Sequence, residues 1–258
     1  MSIDWIFKIH HMKKSYYPSK WWWQRKKQSS ASIHFRNLEI KRNSLTVFYG
    51  KNGIGKTSLL NILGLMDNKI FTDKEEVFFN MISQEGLTGH RYSELSLFDK
   101  EQIRNRYFGF MFQHDHLIDK LTGWENIAIP LLLKDPTKSL FAAKQEIKTL
   151  CQQIGFNDMI HKDQKKSLLD RSPSTYSGGQ RQRSALLRAI IHDPEVIFAD
   201  EPFASVDAEV IKQILITFYR KIHEGKTIIM VVHDTYMHYF DDSKKFINIH
   251  NIQDFINN

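Results

Sequence analysis

The stretch GKNGIGKTS at residues 50–58 decides the fold. Gly50, Gly55, Lys56 and Thr57 satisfy the spacing of a phosphate-binding loop, G-x-x-x-x-G-K-[ST]. Glycines let successive backbone N–H groups curl around phosphate oxygens, and a helix that begins here adds positive potential. We expect Lys56 to reach the β- and γ-phosphates of a nucleotide, and Thr57 to offer its hydroxyl to Mg²⁺.

The residues on either side of this loop have the patterns of a strand and a helix. The apolar run LTVFY before it predicts a buried parallel strand. Residues 57–65 after it have the apolar spacing of a helix. A strand, a glycine-rich turn and a helix in this order are the context that a phosphate-binding loop requires.

The C-terminal half repeats this alternation. The apolar runs at residues 196–199 and 227–232 predict two more buried strands, and residues 208–224 between them carry one apolar stripe typical of a helix. Asp207 suits the start of that helix and Gly225 its end. The pattern indicates an α/β fold with a largely parallel central sheet.

The flanking segments suggest two smaller parts. Residues 5–10 and 33–40 alternate as strands of a small antiparallel sheet, and the aromatic and basic residues 16–32 between them predict a long loop. Residues 121–170 are mostly helical in pattern. We therefore expect one domain over residues 1–258. Its three parts are an N-terminal β part (1–44), a catalytic core (45–112 and 180–258) and a helical subdomain (113–179).

Composition limits the class of protein. The chain has 258 residues, 41% hydrophobic and 25% charged, which is ordinary for a globular protein. The net charge is +7, from 36 Lys and Arg against 29 Asp and Glu, and this value alone decides no partner. The single cysteine, Cys151, excludes an intramolecular disulfide and agrees with a reducing compartment. No apolar run approaches the ~20 residues that span a bilayer, and we expect no export signal.

An acidic pair follows the strand predicted at residues 196–199. VIFADEP, residues 196–202, places Asp200 and Glu201 after the apolar run. We expect Asp200 to hold Mg²⁺ through water and Glu201 to polarise the water that attacks the γ-phosphate. The alternative is that the two acids only cap the following turn.

A third motif is YSGGQRQR at residues 176–183. Ser177 and Gln180 have the spacing of a capping box, and Gly178 and Gly179 free the N–H groups of a helix start. This predicts a second phosphate-binding helix terminus. Taken alone, the motif is equally compatible with an ordinary capped helix.

In order and spacing these motifs resemble the ATP-binding cassette (ABC) ATPase family, from about residue 6 to about residue 249. Residues 50–57 resemble the Walker A motif, residues 196–201 the Walker B motif, and YSGGQ the signature motif. Gln113 in FGFMFQ resembles the Q-loop glutamine, ASVD at residues 204–207 the D-loop, and His233 the switch histidine.

The resemblance implies roles for individual residues. Glu201, His233 and Gln113 would be catalytic, and Thr57, Gln113 and Asp200 would hold Mg²⁺. The residues expected to contact ATP are Tyr16, Gly50, Asn52, Gly53, Gly55, Lys56, Thr57, Ser58, Ser177, Gly178, Gly179, Gln180 and Asp207.

Simpler explanations stay open for four of these residues. Tyr17 could replace Tyr16 as the aromatic that stacks on adenine, and either could be a plain strand residue. Gln113 alone is an unremarkable polar residue, His233 alone an ordinary core histidine, and Asp207 could serve chiefly as a helix cap. The run His114-Asp115-His116 is weak evidence for a metal site, and we interpret it as surface.

The resemblance also implies partners. Two such subunits pair around two ATP molecules and drive a separate integral membrane permease, so we expect a homodimer, peripheral to the cytoplasmic face of the membrane.

Residues 103–133 look like the lipoprotein-release, macrolide-export and cell-division branch, but Tyr176 stands where leucine is usual. The alternatives are an ATPase for mechanotransmission or cell division, or a nucleic-acid-linked ATPase. We expect no nucleic acid, and residues 21–27 suit either lipid headgroups or solvent.

Overall fold

A computed structural model describes residues 4–16, 31–67, 76–83, 86–163, 166–204, 206–240 and 245–257. Three features singled out in the sequence lie outside these residues: the basic aromatic segment at 21–27, Tyr17, and the side chain of Tyr16.

The described strands are β1 (Trp5–Tyr16), β2 (Ala31–Lys41), β3 (Leu45–Tyr49), β4 (Glu76–Ser83), β5 (Gly86–Arg91), β6 (Phe108–Met111), β7 (Lys162–Asp163), β8 (Lys166–Ser167), β9 (Val196–Asp200), β10 (Thr227–Val231), β11 (Ile247–Asn251) and β12 (Ile256–Asn257). The helices are α1 (Lys56–Leu63), α2 (Leu97–Tyr107), α3 (Gly123–Lys134), α4 (Leu140–Ile154), α5 (Asn157–Ile160), α6 (Gly178–Ile190) and α7 (Ala208–His223). Short 3-10 turns cover Leu168–Asp170, Pro173–Thr175, Asp234–Tyr239 and Ile252–Phe255.

A parallel sheet of five strands is the centre of the fold. Its order is β11-β3-β10-β9-β6, and each neighbouring pair runs parallel. The three buried strands predicted from the sequence, now β3, β9 and β10, are confirmed. Val231 in β10 lies opposite Phe48 on one side and Asp200 on the other. The carboxyl ends of three strands therefore meet at one edge, where ligands bind in open α/β sheets.

The second sheet is antiparallel and larger than the sequence suggested. Its order is β12-β2-β1-β4-β5. Strands β4 and β5 join it because β1 has a second free edge, where Phe7 faces Phe79 of β4. These strands were expected in the catalytic core, so the β part extends beyond residues 1–44. Strand β1 also continues to Tyr16, into the segment predicted as a loop.

The parallel sheet separates two apolar cores, because successive side chains of a strand point to opposite faces. Phe198 packs in the core shared with the antiparallel sheet and α1, where it contacts Phe7 and Phe108. Its neighbour Ala199 packs in the other core, which includes residues of α3, α4, α6 and α7.

The helices α3, α4 and α5 form most of the segment predicted as helical. Capping explains where they begin: Thr122 and Glu125 form a capping box at α3, and Ser139 caps α4. Helix α3 packs against α4 and α6. The rest of the predicted segment forms the β7–β8 hairpin and a 3-10 turn. Among the described helices, none combines the length and the apolar character needed to cross a bilayer.

Candidate functional site

The phosphate-binding loop connects β3 to α1. Gly55 immediately precedes α1 and adopts φ 111°, a left-handed conformation that L side chains rarely adopt. A β-carbon at this position would lie 2.5 Å from Cδ1 of Ile33. The loop therefore requires glycine here for its backbone conformation, and a side chain would also displace the tip of Ile33 in β2.

Lys56 folds back across this loop. Its side chain is buried, and Nζ donates hydrogen bonds to the carbonyl oxygens of Gly50, at 2.7 Å, and Lys51, at 3.2 Å. The ammonium group is thus held beside the backbone that would surround a phosphate. An ammonium group with several donors is well suited to bind phosphate oxygens.

Thr57, in the first turn of α1, contacts Asp200 at the end of β9. In the sheet, β10 lies between β9 and β3, the strand that precedes α1. The Thr57 hydroxyl donates a hydrogen bond of 3.2 Å to Oδ1 of Asp200. Burial raises the pKa of Asp200, which the hydrogen bond from Thr57 opposes. A hydroxyl and a carboxylate in contact are oxygen ligands of the kind that Mg²⁺ prefers. The pair therefore fits the metal expected from the sequence.

Glu201 and Gln113 stand beside this pair. Nε2 of Gln113 donates a hydrogen bond of 2.9 Å to Oε2 of Glu201. Glu201 has φ 45°, unusual for a residue other than glycine, and its N–H bonds to the carbonyl of Val231 at 2.9 Å. This bond anchors the residue at the end of β10 and leaves its carboxylate at the cavity.

One cavity of about 480 Å³ brings most of the expected residues together. Its lining residues are Asn52, Gly53, Gly55, Lys56, Thr57, Ser58, Gln113, Glu201 and His233. His233 comes just after β10 and caps the following 3-10 turn through a contact with the Thr235 amide. The cavity is open and polar, as a site for a charged ligand should be.

The residues of the expected signature motif do not line this cavity. Ser177 and Gln180 do form a capping box at the start of α6, and Ser177 and Gly178 are exposed. Asp207 caps α7 by accepting a hydrogen bond of 2.9 Å from the Val210 amide. Within one chain these residues thus have the structural roles that the sequence left open as alternatives.

Sequence reasoning missed the contacts that hold the segment after Gln113. Asp115 pairs with Arg181 of α6 at 2.7 Å, and Arg188 donates to the backbone of His116 at 2.8 Å. A difference of 66 positions separates the partners of the first pair, so no local pattern could have revealed it. His114 and His116 belong to no metal-binding group among the described residues.

Fold and site together define a nucleotide-binding protein of the phosphate-loop class, because the loop and the acidic residues meet at one edge of a parallel sheet. The sequence profile of the ABC transporter family matches residues 34–204, and the chain belongs to this family.

Two relatives align with this chain over most of their own length. An uncharacterized ABC transporter ATP-binding protein of Methanocaldococcus jannaschii is 34% identical over 198 residues, which are 77% of this chain and 79% of that protein. The lipoprotein-releasing system ATP-binding protein LolD of Aquifex aeolicus is 35% identical over 203 residues, again 77% of this chain and 79% of the relative.

A third relative is much longer. The macrolide export ATP-binding/permease protein MacB of Bartonella henselae is 33% identical over 198 residues, which are 77% of this chain and only 27% of MacB. LolD and MacB confirm the resemblance to the lipoprotein-release and macrolide-export branch. Among solved structures, a dimeric post-hydrolysis state of an ATP-binding cassette bound to ADP and Pi has a TM-score of 0.67 and 25% identity, covering 89% of both chains.

Proposed function

We propose that this chain binds and hydrolyses ATP as one nucleotide-binding domain of an ABC transporter and drives a separate membrane permease. The observation that carries the proposal is the convergence on one cavity of Lys56, Thr57 and the Gln113–Glu201 pair. Asp200 lies directly behind Thr57 and accepts its hydrogen bond. Binding groups and a carboxylate for water activation stand together there, as phosphoryl transfer to water requires.

The binding groups divide the work of holding ATP. The N–H groups of the loop and the Lys56 ammonium group bind phosphate oxygens, and Thr57 and Asp200 are the ligands for Mg²⁺. When bound, Mg²⁺ neutralises charge that develops on the phosphates. None of these interactions requires a change in the fold, because α1 and the strand ends already hold the side chains at the cavity.

Glu201 is the group that orients the attacking water and accepts its proton. Gln113 holds Oε2 of this carboxylate at 2.9 Å, which leaves the other oxygen, Oε1, for the water. His233, which follows the neighbouring strand β10 at the same edge of the sheet, is positioned to contact the γ-phosphate. Its place next to β10 keeps it in the same cavity as Glu201.

The exposed start of α6 supports a dimer. Ser177, Gly178 and Gly179 form a helix N-terminus that does not line the nucleotide cavity of its own chain. Such a terminus attracts phosphate. A second copy could bring this terminus to the γ-phosphate bound by the first. The similar solved cassette is a dimer. Hydrolysis would then remove the group that holds the two copies together.

We further propose that the dimer sits at the cytoplasmic face of a membrane and serves an exporter or a lipoprotein- or peptide-type system. The support comes from the relatives, since LolD belongs to a lipoprotein-releasing system and MacB to macrolide export. LolD is named as an ATP-binding protein alone, and this relative supports a permease on a separate subunit.

The substitution Glu201→Gln tests the hydrolytic role. We expect turnover to fall by about 10²–10⁴-fold, the usual contribution of a general base, while ATP binding persists and the dimer accumulates. Phosphate release, equilibrium ATP binding and light scattering measure the three quantities. The matched control is Glu209→Gln, an exposed acid on α7 whose side chain accepts a hydrogen bond from Gln213. Unchanged turnover in Glu201→Gln would contradict the assignment.

Purification of the tagged chain from native membranes in mild detergent tests the partner. A stoichiometric multi-span protein would support the permease, and its identity would separate transport from mechanotransmission. Ribosomes or nucleic acid in its place would contradict the transporter assignment and leave the ATP site intact.

A further inference from the structure

The segment that carries Gln113 lies between two cavities. On one side is the nucleotide cavity. On the other is a cavity of about 520 Å³ between residues 113–116, here called the Q-loop, and the first turns of α6. Gln113 lines both cavities, so whatever fixes the Q-loop on the α6 side also fixes the Gln113 amide beside Glu201.

Asp115 is the residue that fixes the Q-loop to α6. Its Oδ2 accepts a hydrogen bond of 2.7 Å from Nε of Arg181, and its Oδ1 accepts one of 2.8 Å from Nη2. Oδ1 also accepts from the Leu117 amide at 3.0 Å. Two parallel bonds between a guanidinium fork and a carboxylate restrict orientation as well as distance. The pair therefore holds the Q-loop in one position on the helix.

The surroundings reinforce this pair. Burial acts to raise the pKa of Asp115, but hydrogen bonds from Arg181 and the Leu117 amide outweigh it and hold the pKa below its usual range. Asp115 therefore stays ionised at neutral pH. Two turns further along α6, Arg188 donates to the carbonyls of Asp115 and His116. His116 has φ 48°, a conformation that persists only where neighbouring contacts enforce it.

The same turn of α6 also holds the other side of the Gln113–Glu201 contact. Gln182, the residue after Arg181, is buried, and its Nε2 donates a hydrogen bond of 2.5 Å to the carbonyl of Pro202. Pro202 directly follows Glu201. Adjacent residues of one helix thus hold the segments that carry both partners of the catalytic contact.

We propose that Asp115 and Arg181 are positioning residues for ATP hydrolysis, and that their ion pair holds the Gln113 amide in the place where it orients the Glu201 carboxylate. Gln113 and Asp115 are two residues apart, about 7 Å of chain at most, so a shift of one moves the other. Neither residue of the ion pair lines the nucleotide cavity. The proposal rests on the proposed ATPase function, and it predicts a loss of turnover without a loss of ATP affinity.

The test compares Asp115→Asn with Asp158→Asn in the full chain. Asparagine keeps the shape of Asp115 and an oxygen for the Leu117 amide, but it removes the charge and one acceptor for Arg181. Asp158 is the matched control because it pairs at 2.9 Å with Arg183, two residues after Arg181 on the same helix, and does not contact the Q-loop. A positioning error at a catalytic contact should lower kcat of Asp115→Asn by about tenfold and leave KM and equilibrium ATP binding unchanged.

The substitution Gln113→Ala separates positioning from a general structural effect. If Asp115 acts through Gln113, adding Asp115→Asn to Gln113→Ala should change kcat by less than about twofold, because coupled residues are not additive. A second variant, Arg181→Lys, keeps the charge and loses the fork. We expect a partial decrease in its kcat. This variant replaces Asp115→Asn in the test if Asp115→Asn does not fold.

Three outcomes overturn the proposal. The first is an equal kcat in wild type, Asp115→Asn and Arg181→Lys. The second is a full tenfold loss that persists in the Gln113→Ala background. The third is an equal loss in Asp158→Asn. These results require an active wild type, whereas a wild-type chain that binds no ATP or releases no phosphate would contradict the proposed function itself.

Discussion

The hydroxyl of Tyr176 occupies the space beside Gly123 that a side chain would need. A β-carbon on Gly123 would lie 2.2 Å from this oxygen. Tyr176 is buried and donates to the carbonyl of Leu168 at 2.9 Å, with the carbonyl of Arg171 at 3.2 Å. Burial raises the pKa of Tyr176 to about 12, so the phenol remains a donor throughout the neutral range. The missing side chain at Gly123 explains how the buried core accommodates the Tyr176 hydroxyl.

This packing predicts that Gly123→Ala destabilises the protein. Overpacking a filled core costs about 1–3 kcal/mol. Loss of the hydroxyl in Tyr176→Phe should cost about 0.5–1.5 kcal/mol, the net value of one hydrogen bond, because the Leu168 carbonyl still accepts from the Arg171 amide. Urea unfolding measures both values.

The double variant Gly123→Ala with Tyr176→Leu is the control for this contact. It should lose less stability than the sum of the losses in Gly123→Ala and Tyr176→Leu, because leucine lacks the hydroxyl that the new methyl meets. The relief of the clash is only partial, since the Cα of Leu169 would still lie 3.0 Å from that methyl. Strictly additive costs would contradict the contact.

A second prediction concerns Lys56 in the phosphate-binding loop. Lys56→Ala removes a buried ammonium group, and we expect ATP affinity to fall about 10–100-fold, the value of a hydrogen bond to a charged group. The matched control is Lys51→Ala, since Lys51 is exposed and contributes its carbonyl rather than its side chain. Titration calorimetry with a non-hydrolysable ATP analogue measures both affinities. Equal losses in the two variants would contradict a specific role for Lys56.

A third prediction concerns Gly109 in β6. Its backbone lies so close to α6 that an added β-carbon would be 2.0 Å from the carbonyl oxygen of Ala189. A backbone atom cannot swing aside as the end of a flexible side chain can, so we expect Gly109→Ala to cost about 3 kcal/mol or more, at the upper end for overpacking.

Gly155→Ala is the comparison for that variant. Gly155 ends α4 with φ 82° and has open space around it, so it carries the backbone strain of a left-handed residue without a clash. The cost there should be about 1 kcal/mol. Denaturant unfolding of both variants decides the matter, and similar losses would show that close approach is not the cause at Gly109.

The fold could be predicted from sequence where one short segment carries both the apolar pattern of its elements and the residues that bind phosphate. The strand before Gly50 and the helix after Lys56 follow from apolar periodicity, and the glycines between them follow from phosphate binding. Asp200 and Glu201 could be placed at the same edge as the loop because parallel strands end together.

Long-range pairing could not be predicted in the same way. The sequence pattern of β4 and β5 does not indicate which sheet they join, because their pairing depends on the free edge of β1. The ion pair of Asp115 with Arg181 and the fit of Tyr176 against Gly123 likewise depend on how α6 and α3 pack. Only the assembled core sets those distances.

The last prediction concerns His192, which is buried at the end of α6. Its Nε2 lies 3.0 Å from the carbonyl oxygen of Phe108. A carbonyl can only accept, so Nε2 carries the proton of a neutral imidazole. Burial lowers the pKa of His192 to about 4, although the bond to Phe108 opposes the shift. The unfolded histidine titrates near 6.5. Between these two values the unfolded chain binds more protons, so His192 makes the protein lose stability as the pH falls from 6.5 towards 4.

Replacing His192 with glutamine should remove this acid sensitivity, because the amide can still donate to Phe108 but does not titrate. Urea unfolding at pH 7 and pH 4.5 gives the decrease in the free energy of unfolding between these pH values. This decrease should be about 2–3 kcal/mol smaller in His192→Gln than in wild type. The variant His161→Gln, at an exposed position, controls for the loss of an imidazole. If His192→Gln and wild type lose the same stability over this range, the buried imidazole does not stay neutral and the prediction is wrong.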